Sequence, residues 1–426
     1  MSRVAVSEQE SGYTSRAAAN EQESGYRWVM AAICGLIMTT SFISLTAFGV
    51  AAPEIAKSMH VSLQTLTIYG IDSFSIGLFI AFFLGHGGIF DTRVKLGVFV
   101  AQALLIIPQL LIPVISSLWL LTLLRFSQGL MIMMVALFSI QLSGWFKPSQ
   151  RGISLAATLG AITLGGALGG LISGSLASLG WQTMYYITAA IMAGGAIVYF
   201  IFARDSETLK KQQEASKGKP HGSAWKYKMT WIMGLVQVPL TWSLFSIGGF
   251  MPSYAYHLGY TQGQVGNVMF VWGIAGFIAA FVGSWIGDLW SKGQSTHQGV
   301  VRARLNVMSL ADFVMGVGAL MILYLAPVSY AWLMISAIVV VFLMMLPPNY
   351  WATPGNVFPV ATMGAGAFGM GVISNSTSAI GPVVSSAMVP TFGWSGVFWI
   401  MAILSFVGIG INYWAAHSEL PIDFDK

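Results

Sequence analysis

Long apolar stretches recur along most of this chain and limit what it can fold into. A helix needs about 20 apolar residues to cross the hydrocarbon core of a bilayer. The sequence predicts twelve such stretches, which we number segments 1 to 12 in chain order: 28–52, 63–88, 94–114, 118–144, 152–178, 182–203, 229–257, 264–289, 302–326, 331–352, 361–389 and 394–415. Because only 8% of the residues are charged, against about 25% in soluble domains, we expect an all-α membrane protein in contact with the lipid bilayer.

Polar stretches divide the segments into two sets of six, so we expect twelve transmembrane helices in two six-helix bundles. The predicted regions are a disordered cytoplasmic tail at 1–26, an N-terminal bundle at 27–203, a cytoplasmic linker at 204–228, a C-terminal bundle at 229–416 and a cytoplasmic tail at 417–426.

The two sets also resemble each other in sequence. Gly180-Trp181 opens segment 6 and Gly393-Trp394 opens segment 12, each after a Gly-rich segment. A duplicated six-helix unit is the pattern of the parallel repeat in secondary transporters.

The basic residues follow the connections between segments. All but two of the 20 Lys and Arg lie in the tails or in connections after even-numbered segments, the exceptions being Lys57 and Arg125. By the positive-inside rule, both termini and the linker are predicted to be cytoplasmic in a multi-pass protein of the cell membrane. The basic residues thus indicate topology, and we expect no nucleic-acid partner.

Arg125 lies inside a stretch that is otherwise apolar from Leu118 to Ile140. An arginine keeps its charge, and a charge at the centre of a helix in hydrocarbon costs at least about 2.5–3.5 kcal/mol. Arg125 must therefore face the bundle interior, a water-filled cavity or a partner. Two interpretations stay open: it binds substrate, or it anchors neighbouring helices through their carbonyl groups.

Two carboxylates within the segments are candidates for proton coupling. Asp72 in segment 2 and Arg125 in segment 4 are predicted at similar depth, with Asp72 about 14 Å from the outer surface at helical rise. A static Asp72–Arg125 ion pair is the structural alternative. Asp312 in segment 9 is either a second protonation site or a packing residue. A buried carboxylate that releases and regains a proton meets the requirement for coupling.

No charged residue lies between Asp312 and His417, so an anion would be held mainly by Arg125. We expect neutral side chains to complete the substrate site: Tyr69, Tyr254, Asn349, Trp351 and Asn375.

Two loops at equivalent places carry acidic and basic residues next to glycines. Asp91 and Arg93 follow segment 2, and Asp288 ends segment 8. We predict that they form a conformational latch on the cytoplasmic side. The sequence shows no phosphate-binding loop, no metal-ligand cluster and no nucleophile–base pair, so we expect neither a cofactor, a metal nor an enzyme.

Three motifs together resemble the major facilitator superfamily over residues 27–416. They are Gly87 to Lys95 with Asp91 and Arg93, then Arg125-Phe126-Ser127-Gln128-Gly129, and Gly165 to Gly170, where Gly166 replaces the proline of the antiporter pattern. The resemblance implies two rocking bundles.

Within that superfamily, four stretches resemble the anion:cation symporter family of organic-anion carriers: 144–152, 250–254, 350–354 and 375–382. The resemblance implies that Arg125 contacts the substrate carboxylate and that Asn375 lines the pocket. The chain departs from that family's pattern at two places. Segment 1 lacks the family's arginine, and Ile132 occupies the position of the family's proton-coupling glutamate. Asp72 or Asp312 would have to replace that glutamate, and a less highly charged substrate is favoured.

The sequence thus predicts a monomeric secondary transporter whose partners are a small organic anion and a proton, working by proton-coupled symport. A monocarboxylate- or oxalate-type exchanger and a carrier of neutral solutes or drugs stay open as alternatives. A transporter-like sensor and a membrane-embedded enzyme are less favoured, because the predicted tails are short and the six histidines are scattered.

Overall fold

The computed structural model describes residues 24–85, 93–176, 179–207, 209–210, 214, 223–358 and 362–419, and every regular element in these ranges is a helix. The first half of the chain, segments 1 to 6, forms the helices Tyr26–Ser58, Leu63–Gly85, Val94–Leu111, Leu118–Gly129, Met133–Ser143, Arg151–Leu176 and Trp181–Phe202. The second half, segments 7 to 12, forms Lys228–Val236, Val238–His257, Gln262–Ser291, His297–Tyr324, Tyr330–Val341, Leu346–Trp351, Pro354–Val357 and Met363–His417.

Several segments are interrupted within their length. A short 3₁₀ turn, Leu130–Ile132, divides segment 4, and another, Phe342–Met345, divides segment 10. Segment 7 bends at Gln237, one residue before its second helix begins. Such breaks free backbone groups, which must find partners inside the protein.

The repeated Gly-Trp pairs share one backbone feature. Gly180 has φ of 85° and Gly393 has φ of 65°. Side chains with a Cβ rarely adopt this left-handed region, which explains a glycine at both places. Gly393 separates segment 11 from segment 12 within the continuous range Met363–His417.

Ten helices in the described residues are long and apolar enough to cross a membrane. The apolar part of segment 2, Tyr69–Gly85, is shorter, and segment 11 is not among the ten. Segment 11 is rich in Gly, Ser and Thr, which lowers its hydropathy. The all-helical class is confirmed, whereas the count of twelve spans stays a prediction.

Contacts between the halves run along two helix pairs, segment 5 with segment 8 and segment 2 with segment 11. Small residues allow the first pair to pack closely, because a Cβ on Gly273 would overlap Ala167 and one on Gly160 would press on Phe277. Glycine at such crossings is typical of membrane helices. Within the first half, segments 2 and 4 cross in the same way at Gly77 and Gly129.

Candidate functional site

Arg125 lies in the interior of the first half, with none of its surface exposed. Its Nε donates to the carbonyl oxygen of Gly70 at 3.2 Å, and its Nη1 donates to Gln128 Oε1 at 2.7 Å. The guanidinium thus joins segment 4 to segment 2. These contacts fit the anchoring interpretation, and they use only part of a side chain that offers five N–H donors.

Two aromatic rings enclose the same guanidinium. The Arg125 Cζ lies 4.3 Å from the ring centroid of Phe48 and 4.7 Å from that of Phe74. Desolvated cation–π contacts of this kind contribute about 2 kcal/mol or more. Gly70 has no side chain because the Phe48 ring fills the space where a Cβ would stand.

A chain of amide and hydroxyl groups extends from Arg125 across three segments. Gln128 Nε2 donates to Gln109 Oε1 at 2.8 Å, and Gln109 Nε2 donates to Thr188 Oγ1 at 2.9 Å. The Thr188 hydroxyl donates to the carbonyl oxygen of Met184 at 2.9 Å. Because each member is fixed by the next, the network holds the guanidinium in one orientation.

Two polar groups in this region are buried without a hydrogen-bond partner among the described residues: Arg125 Nη2 and the Tyr185 hydroxyl. Tyr185 packs in the apolar cluster that also contains Phe48, the ring beneath the guanidinium. Buried polar groups without partners are rare in native proteins, so this pair marks a functional candidate. Sequence reasoning missed Tyr185, whose only signal was a polar aromatic side chain within segment 6.

Asp72 does not pair with Arg125. Its side chain is half-buried, and no ion pair joins it to any described residue. The static Asp72–Arg125 pair is therefore absent from this structure, although Asp72 lies only two residues after Gly70, which binds the guanidinium.

Tyr69 and Tyr254 lie apart from Arg125. Tyr69 is exposed and meets Trp119 edge-on at 5.8 Å. Tyr254 is buried in the second half, where its hydroxyl donates to the carbonyl oxygen of Ile322 at 3.2 Å and its ring packs on Phe398. The structure therefore does not bring these two predicted substrate ligands together with Arg125.

Trp351 and Asn375 meet the first half around one phenylalanine. The Trp351 ring stacks on Phe82 at 5.6 Å with an interplanar angle of 20°. Asn375 Nδ2 donates to the carbonyl oxygen of Gly371, one turn earlier, and Gly371 lies against Phe82. Phe82 follows Phe74 by two turns on segment 2, about 12 Å at helical rise. Both residues thus lie at the boundary between the halves, about two helical turns along segment 2 from the Phe74 ring that contacts Arg125.

Ser139 closes that boundary further. Its hydroxyl donates to the carbonyl oxygen of Trp351 at 2.6 Å, which joins segment 4 to segment 10. The space next to this contact, between Arg151 and Gly355, has a volume of only about 10 Å³. This is the room that one water occupies, so no solute passes here in this conformation.

Asp288 connects the halves at the same end of the molecule, which we call the Asp288 end. Its carboxylate accepts hydrogen bonds from the backbone nitrogens of Gly152 at 3.1 Å and Ile153 at 2.7 Å, in the first turn of segment 5. A helix N-terminus carries free N–H groups and a partial positive charge, which a carboxylate stabilises.

Arg304 supports this carboxylate from inside the second half. Its Nη2 lies 2.7 Å from Asp288 Oδ1, and its Nη1 donates to Asn349 Oδ1 at 3.1 Å. Asn349 in turn donates to the carbonyl oxygen of Gly283. Asn349, expected near the substrate, thus belongs to the Asp288 end. The other predicted latch loop, after segment 2, contains Asp91 and Arg93. Arg93 is exposed, and Asp91 lies outside the described residues.

Asp312 is fully buried in the second half. Its Oδ2 accepts a hydrogen bond from Asn412 Nδ2 at 2.8 Å, and that amide is its hydrogen-bond partner among the described residues. Asp312 Oδ1 and Asn412 Oδ1 have no partner there. Sequence reasoning missed Asn412. In the described part of the chain, no three His, Cys, Asp or Glu side chains are grouped to hold a metal ion.

Two known proteins resemble the chain over most of its length. A hexuronate transporter of Bacillus subtilis (strain 168) is 25% identical over 379 residues, which cover 84% of this chain and 87% of that protein. The crystal structure of the human organic anion transporter MFSD10 (TETRAN) superposes with a TM-score of 0.65 at 13% identity, covering 91% of this chain and all of that one. The second likeness bears on the fold alone.

The family model of the Major Facilitator Superfamily matches residues 34–376. This range contains the segment 4 motif with Arg125, the pair of segments 5 and 8, the contacts of Asp288 and the first part of segment 11. The chain belongs to the Major Facilitator Superfamily.

Proposed function

We propose that this chain is a secondary active transporter of small organic anions that works by alternating access. The observation that carries the proposal is the buried guanidinium of Arg125, whose Nη2 has no partner among the described residues. A carboxylate is the natural acceptor for such a group, since charge-assisted hydrogen bonds are roughly twice as strong as neutral ones. The name of the bacterial relative, a hexuronate transporter, also supports an anionic substrate.

The substrate site in this proposal centres on Arg125 and Tyr185. Gly70 and Gln128 fix two edges of the guanidinium, which leaves Nη2 and the Tyr185 hydroxyl as donors for the two oxygens of one carboxylate. Trp351 and Asn375, about two helical turns farther along segment 2, are proposed to line the path that the solute takes between the halves. A single guanidinium favours a substrate with one carboxylate, such as a hexuronate or another monocarboxylate.

The Asp288 end is assigned to the cytoplasm. The positive-inside pattern supports this assignment, because the connections after segments 4 and 8 carry Lys147, Arg151 and Lys292. The structure then represents a conformation closed toward the cytoplasm, with Asp288 on Gly152 and Ile153 as the latch. Opening would separate segment 5 from segment 8 while each half moves as a body.

Proton coupling completes the proposed symport. A monoanion bound at Arg125 leaves no net charge at the site, so a separate proton site must take up the coupling ion. Asp72 and Asp312 are the two candidates within the segments. The transporter is proposed to act as a monomer in the cell membrane, with both termini in the cytoplasm.

Counterflow in proteoliposomes tests the function directly. Purified protein is reconstituted with unlabelled glucuronate or lactate inside, and entry of the labelled anion is measured. We expect saturable counterflow that Arg125→Lys abolishes, because one ammonium group cannot reproduce the planar guanidinium that binds Gly70 and Gln128 and still offers Nη2 to the carboxylate. Arg302→Lys is the matched control, since Arg302 binds the Ala416 carbonyl oxygen at the Asp288 end.

A carrier of neutral solutes is the second candidate. The bonds of Arg125 to Gly70 and its two aromatic neighbours favour it, because an anchoring arginine would look the same. Labelled uncharged sugars test this candidate. If the wild type and Arg125→Lys both take them up, and carboxylates do not compete, the neutral-solute proposal replaces the anion proposal.

A further inference from the structure

Asp312 and Asn412 face each other inside the second half, far from solvent. The amide nitrogen donates to one carboxyl oxygen at 2.8 Å, and the remaining oxygen of each side chain has no partner among the described residues. Both residues are almost fully buried. A carboxylate in this state would keep a full charge with one hydrogen bond and leave one oxygen of each side chain without a partner.

We propose that Asp312 binds the coupling proton and that Asn412 holds the protonated side chain. A proton on Asp312 Oδ1 turns that oxygen into a donor, and the partnerless Asn412 Oδ1, on the amide that already binds Asp312 Oδ2, can accept from it. The acid and the amide then form a reciprocal pair with two hydrogen bonds. One proton thus satisfies both partnerless oxygens and removes the buried charge. The proposal rests on the proposed function and specifies its coupling site.

The surroundings of Asp312 provide no counter-ion. Arg304 lies eight residues earlier on the same helix, about 12 Å away along its axis, and is bonded to Asp288 and Asn349. The titratable groups on the elements packed around Asp312 are Lys228, Tyr254, Tyr256 and His257 in segment 7, Asp288 in segment 8, Tyr330 and Tyr350 in segment 10, and Tyr413 and His417 in segment 12. None of them hydrogen-bonds Asp312, so the proton itself is the neutralising cation.

Access to the pair depends on segment 7. A Cβ on Gly408 of segment 12 would overlap both the Asp312 carboxyl group and the ring of Pro239. Pro239 therefore packs beside the carboxyl group, two residues after the break at Gln237. Movement of this broken segment against segments 9 and 12 opens a route for water to Asp312. Proton exchange is thus tied to a conformational change of the second half.

Two transport assays on reconstituted protein separate coupling from translocation. Asp312→Asn keeps the shape of the neutral acid and cannot exchange a proton. We expect this variant to retain counterflow and to lose accumulation driven by an inside-alkaline pH gradient. In the wild type, one coupled proton supports about a tenfold ratio of internal to external anion concentration per pH unit. Asn412→Ala should also retain counterflow and shift the pH dependence of uptake. Asn306→Ala, an exposed amide in the same segment, is the control.

The outcomes are decisive in both directions. Full gradient-driven accumulation by Asp312→Asn overturns the proposal. If Asp72→Asn loses this accumulation and Asp312→Asn keeps it, the proton site lies in segment 2. Accumulation that needs a sodium gradient and not a pH gradient also overturns it, because the two oxygens would then bind a metal cation.

A spectroscopic readout keeps the inference testable if the substrate proposal fails. Infrared difference spectra of the full-length protein in lipid, recorded between acidic and alkaline buffer, should show the carbonyl band of a hydrogen-bonded carboxylic acid. We expect Asp312→Asn to remove this band and Asn412→Ala to shift its frequency. A wild-type protein without counterflow of any anion refutes the transport proposal alone, whereas an unchanged band in Asp312→Asn refutes the proton site.

Discussion

Replacement of Asp288 by asparagine tests whether the contact at the Asp288 end holds the two halves together. The carboxylate accepts two backbone hydrogen bonds from segment 5, across the boundary, and one from Arg304, within its own half. Only the first two break when the halves separate. The Arg304 pair lies within one half, so we expect it to stay intact when the halves separate and not to contribute to the difference between the two conformations.

The magnitude follows from those two contacts. Hydrogen bonds to a charged group contribute about 1.5–3 kcal/mol each, and a charge at a partly buried helix N-terminus contributes up to about 2 kcal/mol. These terms overlap, and asparagine can still accept one of the two bonds. We therefore expect Asp288→Asn to destabilise the closed conformation by about 2–3 kcal/mol, which increases the open population roughly 30- to 150-fold at 1.4 kcal/mol per factor of ten.

Cysteine labelling measures that population. Ser139 lies under Trp351 at the closed boundary, so a Ser139→Cys side chain is protected until the halves separate at this end. The native Cys34 is buried and is first replaced by serine. The rate of reaction with a membrane-impermeant maleimide, applied from the cytoplasmic side of inverted vesicles, then reports opening. Glu54→Gln, an exposed carboxylate in segment 1, is the control.

A labelling rate for Asp288→Asn within about twofold of the parent would refute the reasoning, provided that both proteins melt at similar temperatures. Faster labelling from the opposite side of the membrane would instead reverse the assignment of the Asp288 end to the cytoplasm.

Three further substitutions test the first half. Gly129→Val should lower the melting temperature strongly, because a side chain there overlaps the backbone of Phe74; circular dichroism checks this. Gln128→Leu removes the acceptor of Arg125 Nη1 and the link to Gln109, and we expect a higher KM for anion counterflow. Tyr185→Phe should raise the KM about tenfold with little change in melting temperature, since its hydroxyl has no hydrogen-bond partner among the described residues to lose. An unchanged KM in Tyr185→Phe would remove this residue from the site.

The lengths of the apolar stretches and the motifs predicted the all-helical class and the superfamily correctly. The predicted segments coincide with helices or helix pairs, because length and hydropathy alone define a membrane helix. The breaks in segments 4 and 10 were not predicted, since they depend on how neighbours satisfy the freed backbone groups. Gly393 was recognised as the start of segment 12, and its positive φ explains why that position is glycine.

The site was harder to predict than the fold. Depth along a helix is readable from residue numbers, but rotation is not, because lipid-facing and buried positions are both apolar. Asp72 and Arg125 therefore shared a predicted depth without sharing a contact. Tyr254 is a similar case, since its hydroxyl is bonded to Ile322 within the second half. Asn412 and Tyr185 are neutral and gave no charge signal, and only the missing hydrogen-bond partners identify them.

The two polar centres lie in different halves, and that placement constrains how coupling can work. Arg125 is enclosed by segments of the first half and Asp312 by segments of the second, so substrate and proton cannot share one pocket in the proposed cycle. Each half carries one fully buried charge that has no ion pair among the described residues, and in the proposed cycle its own ligand neutralises that charge. If both charges must be neutral before the halves move, symport follows without direct contact between the ligands. Asp312→Asn removes the Asp312 charge permanently. This variant should then transport the anion down its concentration gradient without a proton.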